Sequence, residues 1–372
     1  MNQPVVLIAG GGTGGHLFPG IAVGQALTAL RPGLQVVFVS AGKALESQAL
    51  QRAGFPLEAL AVTAFRGRGL VDRLRSLARV PAAVQKARGL LARWRPGLVL
   101  AVGGYASLPL GLAARLARVP LAVQEQNAVP GLVNRVLARL ARRVFISFPG
   151  AEAHLGRGAS RALLLGNPVR GDLLAQARQA ARERPMASRE FRVLVLGGSQ
   201  GAASLNRALV EALPRLAERR DRLYITHQTG PADEEKVREA YRAAGFRAQV
   251  GAFFPEMGRH YGLAHLVFCR AGAGTLTEVL AVGRAAVAVP YPHAAGDHQT
   301  ANARVLEAAG AALLLPDAAL TGETAAAQII RLMDGRQERE ALEARAGSLA
   351  RPAAAQDIAR ECLALMEGEA HV

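Results

Sequence analysis

Val5-Val6-Leu7-Ile8-Ala9-Gly10-Gly11-Gly12-Thr13-Gly14-Gly15-His16 opens the chain, and Val193-Leu194-Val195-Leu196-Gly197-Gly198-Ser199-Gln200-Gly201 repeats its design in the second half. An unbroken apolar run of four or five residues, ended by glycines, reads as a strand buried on both faces. The stretches that follow, Ile21–Leu30 and Leu205–Leu213, have helical spacing. Strand, glycine turn and helix form the unit of an open, doubly wound parallel sheet. Working outward from the first run, Val36–Val39, Leu98–Val102, Leu121–Val123 and Val144–Ile146 read as further buried strands. Around the second, Leu223–Thr226, Leu266–Cys269 and Ala286–Val289 do the same. The pattern restarts at Phe191, so the architecture is duplicated, and two nucleotide-fold halves imply a cleft between domains. The boundary is placed in the charged, Pro-containing stretch from Asn167 to Arg189, giving domains over residues 1–169 and 170–350. The helical tail from Arg351 onward is expected to pack back on the first domain.

Length and composition agree with that division. The chain has 372 residues, a length that favours two domains, and 51% of them are hydrophobic, which excludes global disorder. The only cysteines, Cys269 and Cys362, exclude a disulfide framework and a four-cysteine zinc site, and point to a reducing compartment. The net charge of +16 is unevenly distributed: residues 1–169 carry 20 Lys and Arg against 5 Asp and Glu, whereas residues 170–372 carry 25 against 24. The first half should therefore meet an anionic surface, whether nucleic acid, anionic lipid or a phosphorylated substrate. No signal peptide is expected, because the apolar run Val5–Ala9 breaks on glycines. The uncharged stretch Pro96–Ala114 is interrupted by Gly103-Gly104, Tyr105, Ser107 and Pro109, so it reads as strand, loop and helix and not as a membrane span. A soluble or peripheral protein is expected.

The glycine loops are the first candidates for chemistry. Gly10, Gly12 and Gly15 match G-x-G-x-x-G at a strand-to-helix junction, where the backbone can approach a phosphate and the helix start offers unpaired N–H groups. A dinucleotide fold needs a carboxylate at the end of the second strand, but Val39-Ser40-Ala41-Gly42-Lys43 has none, so NAD is disfavoured. A P-loop is excluded because His16 stands where a lysine should follow the last glycine. His16 lies where a general base would be needed, at the lip of the expected cleft. Gly197–Gly201 fits a ligand loop and a simple helix-start turn equally well. In Arg270-Ala271-Gly272-Ala273-Gly274-Thr275-Leu276-Thr277-Glu278, the Thr275 and Thr277 hydroxyls could serve a diphosphate and Glu278 the two hydroxyls of a ribose. The same spacing also fits a capping box built on Thr275 and Glu278. Asp297-His298-Gln299-Thr300-Ala301-Asn302-Ala303 offers amides suited to sugar hydroxyls, or ordinary helix capping by Asp297. No D-x-D, H-E-x-x-H or paired-cysteine motif occurs in the chain. No metal or other cofactor is therefore expected, and a diphosphate would be neutralised by helix dipoles and arginine. The stretch Arg66–Arg95 mixes nine basic residues with leucines at helical spacing. It fits either a surface resting on anionic lipid or a solvated basic face over a core. Aromatic residues are too sparse there for a nucleic-acid stacking platform.

Several short segments in order carry a further signal. Gly11-Gly12-Thr13-Gly14-Gly15-His16, Gly103-Gly104-Tyr105-Ala106-Ser107, Glu125-Gln126-Asn127, Gly166-Asn167-Pro168-Val169-Arg170, Gly197–Gly201, Arg270–Ala273 and His298-Gln299-Thr300 with Asn302-Ala303 together resemble the MurG family of bacterial N-acetylglucosaminyltransferases. The resemblance runs nearly end to end. It implies an α/β GT-B fold, two Rossmann-like domains whose parallel sheets face an interdomain cleft. It implies UDP-N-acetylglucosamine as donor and lipid I, the undecaprenyl-diphosphate-linked N-acetylmuramoyl-pentapeptide, as acceptor. In such enzymes the acceptor 4-hydroxyl attacks C1 with inversion, UDP leaves and lipid II forms. The partners would then be those two substrates and an anionic membrane surface, with no nucleic acid, and the location the cytoplasmic face of the cell membrane. By the same resemblance, Thr13, Gly14, Gly15 and Asn127 contact the donor from the first domain. Arg170 and Ser199 lie near the diphosphate and sugar, Phe254 brackets the uracil through its backbone, Ala273, Gly274, Thr275, Leu276, Thr277 and Glu278 hold phosphate and ribose, and Gln299 holds the sugar hydroxyls. His16 is implied as base or acceptor-site residue. Gly274 stands where relatives often carry a larger apolar residue. A sugar-nucleotide epimerase of the same fold and a nucleic-acid or anionic-surface binder are the competing classes. The first leaves the basic excess unexplained, the second the glycine loops and Glu278.

Overall fold

The computed structural model describes residues 3–11, 14–42, 44–60, 80–183, 190–198 and 200–368. Thr13, Ser199 and residues 66–79 of the Arg-rich stretch lie outside them. The chain divides into two compact units: residues 1–170 together with 352–372, and residues 171–351.

Unit 1 alternates β1 (Val5–Ala9), α1 (Gly14–Leu30), β2 (Gln35–Ser40), α2 (Ala44–Arg52), β3 (Leu57–Ala59), α3 (Val80–Trp94), β4 (Leu98–Ala101), α4 (Ser107–Leu116), β5 (Leu121–Glu125), α5 (Leu132–Ala138), β6 (Arg143–Ile146) and β7 (Ala162–Leu164). Among the described residues its sheet has the order β3-β2-β1-β4-β5-β6-β7. All its pairs are parallel, with Val6 registered on Val36 to one side and Leu98 to the other. Successive residues of β1 feed opposite cores, which is why the strand reads as an uninterrupted apolar run. Leu7 and Ala9 pack with Leu110, Val123 and Leu137, whereas Val6 and Ile8 pack with Leu27, Phe38 and Leu50.

The final helix, α15 (Ala354–Glu367), closes the second of these cores with Ile358, Ala359, Cys362 and Leu365. Glu367 is paired with Arg31 at 2.9 Å. The apolar side of α3 faces protein: Ala83, Ala87 and Leu91 are buried, and Val84, Leu90 and Trp94 pack on the first core. Its Lys86, Arg88 and Arg93 remain exposed. No helix among the described residues is long and apolar enough to cross a membrane.

Unit 2 repeats the plan with α6 (Gly171–Glu183), β8 (Phe191–Leu196), α7 (Ala203–Glu211), α8 (Leu213–Leu216), β9 (Leu223–Gln228), α9 (Glu234–Ala243), β10 (Arg247–Gly251), α10 (Met257–Leu263), β11 (Leu266–Arg270), α11 (Ala273–Val282), β12 (Ala285–Val289), α12 (His298–Ala308), β13 (Leu313–Leu314), α13 (Gly322–Asp334) and α14 (Arg336–Leu349). Its sheet order is β10-β9-β8-β11-β12-β13, again parallel throughout. In both sheets the strand order reverses beside the first strand, between β1 and β4 and between β8 and β11. Those are the switch points where open α/β sheets bind ligands. The stretch expected to be a boundary is largely helix: α6 buries Leu173, Leu174, Ala177 and Ala180, an amphipathic stripe that commits it to unit 2.

Candidate active site

At the switch point of unit 1 the loops after β1 and β4 close on each other. Gly104 has φ +85°, and a Cβ there would lie 2.4 Å from the Gly11 carbonyl oxygen. A Cβ on Gly103 would lie 2.6 Å from the ring of His16. Glycine is therefore required by the close approach of two backbones and a histidine. Ser107 stitches the two loops, its hydroxyl 2.8 Å from the carbonyls of both Ala9 and Gly103. His16 sits in the first turn of α1, half-buried against this seam. One turn on, the Arg170 guanidinium lies 5.3 Å from the exposed Phe18 ring, so Gly14, Gly15, His16 and Arg170 gather at one helix start within unit 1.

The loop after β5 is held by a buried carboxylate. Glu125 is 1% exposed. Its Oε1 accepts from the Asn127 backbone N–H at 2.8 Å and from Asn127 Nδ2 at 3.2 Å, and its Oε2 from Gly131 N–H at 3.2 Å and Asn134 Nδ2 at 2.8 Å. Burial pushes its pKa up, and the four donors pull it back part of the way. Gln126 ties the same loop to the Val102 carbonyl at 2.9 Å. Asn127 is thus fixed by Glu125 at the carboxyl edge of the sheet.

In unit 2 the crowding lies elsewhere. Gly201, at φ +77°, would carry a Cβ 1.9 Å from the Thr229 carbonyl oxygen, so the loop after β8 packs on the loop after β9. Beneath it, buried His227 bridges Tyr241 Oη and Asn206 Oδ1 at 3.0 Å each, and Asn206 Nδ2 reaches Asp233 at 2.8 Å. Burial drives the His227 pKa down to about 3, so the ring is neutral.

The start of α11, beside the switch point, is open: a Cβ at Gly272 or Gly274 would meet nothing within 4 Å. The first helical bond runs from Leu276 N–H to the Gly272 carbonyl. The N–H groups of Ala273, Gly274 and Thr275 therefore have no intrahelical partner. The N-cap is Gly272 without a side-chain bond, and Thr275 lies inside the helix, so the capping-box alternative for Thr275 and Glu278 is not what these residues form. The Thr277 hydroxyl donates to the Ala273 carbonyl at 2.6 Å, which directs its proton into the helix and away from any diphosphate. Glu278 Oε2 accepts from the buried Tyr261 hydroxyl at 2.8 Å.

Gln299 accepts from Tyr291 N–H through Oε1 at 2.9 Å, a bond that does not use its amide nitrogen. Asp297 is the N-cap residue of α12, in a left-handed conformation, and it accepts from the Thr300 hydroxyl and not from the backbone. Phe254 is buried and packs its ring against His260 at 4.6 Å.

Sequence reasoning assigned no role to the residue that joins these loops. Arg270, 8% exposed, donates to Asp317 Oδ1 at 2.6 Å, to the Pro290 carbonyl at 3.1 Å and to Ser204 Oγ at 2.5 Å. From the end of β11 it braces the start of α7 and the loops after β12 and β13. A lone arginine at the end of a buried strand was the available signal. Ser204, Asp317 and Tyr261 carry none, because their partners lie 17 to 113 residues away.

Comparison with known proteins agrees with this geometry. Residues 6–146 match the glycosyltransferase family 28 N-terminal domain and residues 192–359 the glycosyltransferase family 28 C-terminal domain. A UDP-N-acetylglucosamine–N-acetylmuramyl-(pentapeptide) pyrophosphoryl-undecaprenol N-acetylglucosamine transferase of Anaeromyxobacter sp. (strain Fw109-5) is 44% identical over 97% of this chain and 93% of its own. The Myxococcus xanthus protein of the same name is 43% identical over the same shares. The crystal structure of Acinetobacter baumannii MurG superposes with a TM-score of 0.78 at 32% identity, covering 97% of this chain and 99% of that one. A UDP-GlcNAc 2-epimerase from Neisseria meningitidis, at 12% identity and TM-score 0.70, shares the fold alone. The two parallel-sheet units are those of a GT-B glycosyltransferase. With both of its sheets matched and nearly its whole length aligned, the chain belongs to glycosyltransferase family 28, in the family of MurG N-acetylglucosamine transferases.

Proposed function

We propose that the protein transfers N-acetylglucosamine from UDP-N-acetylglucosamine to the 4-hydroxyl of the N-acetylmuramoyl unit of lipid I, with inversion, and so makes lipid II for peptidoglycan. The observation that carries this reading is the start of α11. Three backbone N–H groups without helical partners lie at a helix start where a Cβ on Gly272 or Gly274 would meet nothing, with a carboxylate one turn further on. That arrangement suits a nucleoside diphosphate: phosphate oxygens on Ala273, Gly274 and Thr275, ribose hydroxyls on Glu278. Leu276 and Thr277 support the turn from within the core. The Phe254 backbone takes the uracil, the Gln299 amide the sugar, and Arg170 and Ser199 the diphosphate and sugar. Unit 1 supplies Thr13, Gly14, Gly15 and Asn127 to the donor. His16 accepts the proton of the attacking hydroxyl. UDP leaves against helix dipoles and guanidinium, without a metal. The acceptor is membrane-linked and the basic excess lies in residues 1–169, so the protein works as a peripheral protein at the cytoplasmic face of the membrane.

The test is transfer of labelled N-acetylglucosamine from the UDP-sugar to lipid I in detergent with a chelator present. A β-1,4-linked disaccharide lipid is expected. Absence of product with any polyprenyl acceptor, or loss of activity on chelation, overturns the reading. Conversion of the donor with no acceptor present replaces it with epimerisation.

A further inference from the structure

We propose that Tyr261 is a positioning residue for the donor: from inside the core of unit 2, its hydroxyl fixes the rotamer of the carboxylate that receives the ribose. The inference rests on the reading of Glu278 as the ribose acceptor and adds to it a residue that touches no substrate.

Helix side chains lean toward the N-terminus of their helix, so Glu278 leans toward the open start of α11. A half-buried glutamate there has several rotamers, and only some present a carboxylate edge to a pair of vicinal hydroxyls. Tyr261 selects among them by donating to Oε2 at 2.8 Å. The donor itself cannot wander. Tyr261 is 1% exposed, and α10 lies backbone-to-backbone on α6: a Cβ at Gly258 or Gly262 would stand 2.3 Å from the carbonyl oxygens of Leu173 and Ala177 respectively. From the other side, Arg284 fastens the end of α10, with Nε donating to the Tyr261 carbonyl at 3.1 Å and Nη2 to the Gly262 carbonyl at 2.8 Å. Two helices and a buried arginine thus hold one phenol in place. Burial, and then the Glu278 charge and the neighbouring Cys269, push the phenol well above its ordinary pKa, so it keeps its proton and remains a donor.

The experiment compares UDP with 2′-deoxy-UDP by calorimetry on wild type, Tyr261→Phe and Glu278→Gln, with kcat and KM for the UDP-sugar measured alongside. Tyr261→Phe keeps the ring and the packing, and an unchanged melting temperature confirms that. UDP affinity is expected to fall about three- to tenfold, the scale of freeing one immobilised side chain, with kcat within about twofold. On 2′-deoxy-UDP most of that penalty is expected to vanish, because one of the two hydroxyls that Glu278 must meet together is gone. An equal penalty on both nucleotides, or none on either, overturns the proposal when Glu278→Gln does discriminate between them. If Glu278→Gln itself treats the two nucleotides alike, the ribose reading fails and the positioning role fails with it. Should Tyr261→Phe melt early, Glu278→Asp supplies the second arm. A shortened carboxylate that cannot reach Tyr261 is expected to lose UDP affinity by a similar factor, and full retention of affinity overturns the role of the contact.

Discussion

The two switch points have the same strand order and use glycine in opposite ways. Between β1 and β4, Gly103 and Gly104 are needed because the loops press on one another and on His16; a side chain has no room. Beside β11, Gly272 and Gly274 face empty space, and nothing in unit 2 requires them to be glycine. The crowding in unit 2 has moved one strand over, to Gly201 against Thr229. A glycine-rich loop is therefore not in itself a sign of a ligand. A Cβ placed on each glycine separates those that serve the fold from those that leave room beside a helix start. By that criterion unit 1 has a rigid seam holding a histidine, and unit 2 has an open cradle with a carboxylate behind it.

The largest effect should come from filling both kinds of site. Gly104→Ala places a methyl 2.4 Å from a carbonyl oxygen at φ +85°. It is expected to destabilise unit 1 by about 3 kcal/mol or more, from backbone strain and overpacking together. Gly274→Ala is expected to leave stability within about 0.5 kcal/mol of wild type, since it meets nothing. Urea unfolding followed by circular dichroism measures both, and equal losses would erase the distinction. Function should divide along the same line. His16→Ala is expected to lower turnover about 100-fold or more, the scale of a lost general base, with UDP affinity within about twofold. Glu278→Ala should instead weaken UDP binding by about 10- to 100-fold, since a charged hydrogen-bond acceptor contributes about 1.5–3 kcal/mol. Calorimetry and steady-state kinetics on the two variants test the split, and a shared loss of affinity would place both residues on the donor.

Much of this contrast could not be read from residue order. The buried strands were legible because each feeds two cores and reads as an unbroken apolar run. The edge strands β3, β7, β10 and β13 were not, since they are short and half-exposed, as in Arg247–Gly251. The units divide between Arg170 and Gly171, inside the stretch expected to hold the boundary, but α6 itself is hard to read there because its charges and a nearby proline outweigh a four-residue apolar stripe. Among the site residues, Gly14, His16 and Glu278 announce themselves by their place after a strand. The bonds that hold the site loops do not: Ser107 on Ala9, Gln126 on Val102 and Tyr261 on Glu278 join residues that only tertiary structure brings together. The question of whether α3 turns its leucines to lipid or to protein was settled by packing, which the spacing of the leucines does not encode.

Acidity should shift the stabilities of the two units in opposite senses. His227 in unit 2 is driven down to about 3, so the folded ring stays neutral while the unfolded one takes a proton below its ordinary value near 6.5. Its contribution is whole above that pH and is lost on acidification, at about 1.4 kcal/mol per pH unit between the two values. Glu125 in unit 1 is pushed up from 4.5, so its contribution is whole below that pH and declines as pH rises through the folded value. Between neutrality and pH 5, unit 2 is therefore expected to lose about 2 kcal/mol relative to unit 1. Amide exchange resolved by unit measures this. His227→Gln should flatten the loss in unit 2, and a slope that survives the substitution would assign it to another group.

The smallest effect tests the charge contrast that sets the first half apart. Lys86 and Arg88 are exposed on α3, whose apolar side is already committed to the core, so any attraction to a membrane through this helix is electrostatic and not insertion. Each basic residue near an anionic surface contributes about 1 kcal/mol. Arg88→Ser is thus expected to weaken binding to phosphatidylglycerol vesicles about fivefold at low salt and hardly at all at 0.5 M, where the screening length is only about 4 Å. Arg242→Ser on α9, an exposed arginine of the balanced half that is already paired with Glu239, is expected to change nothing. Vesicle sedimentation compares the two directly. If both substitutions weaken binding alike, the membrane senses total charge, and the uneven distribution of arginine along the chain does not orient the molecule.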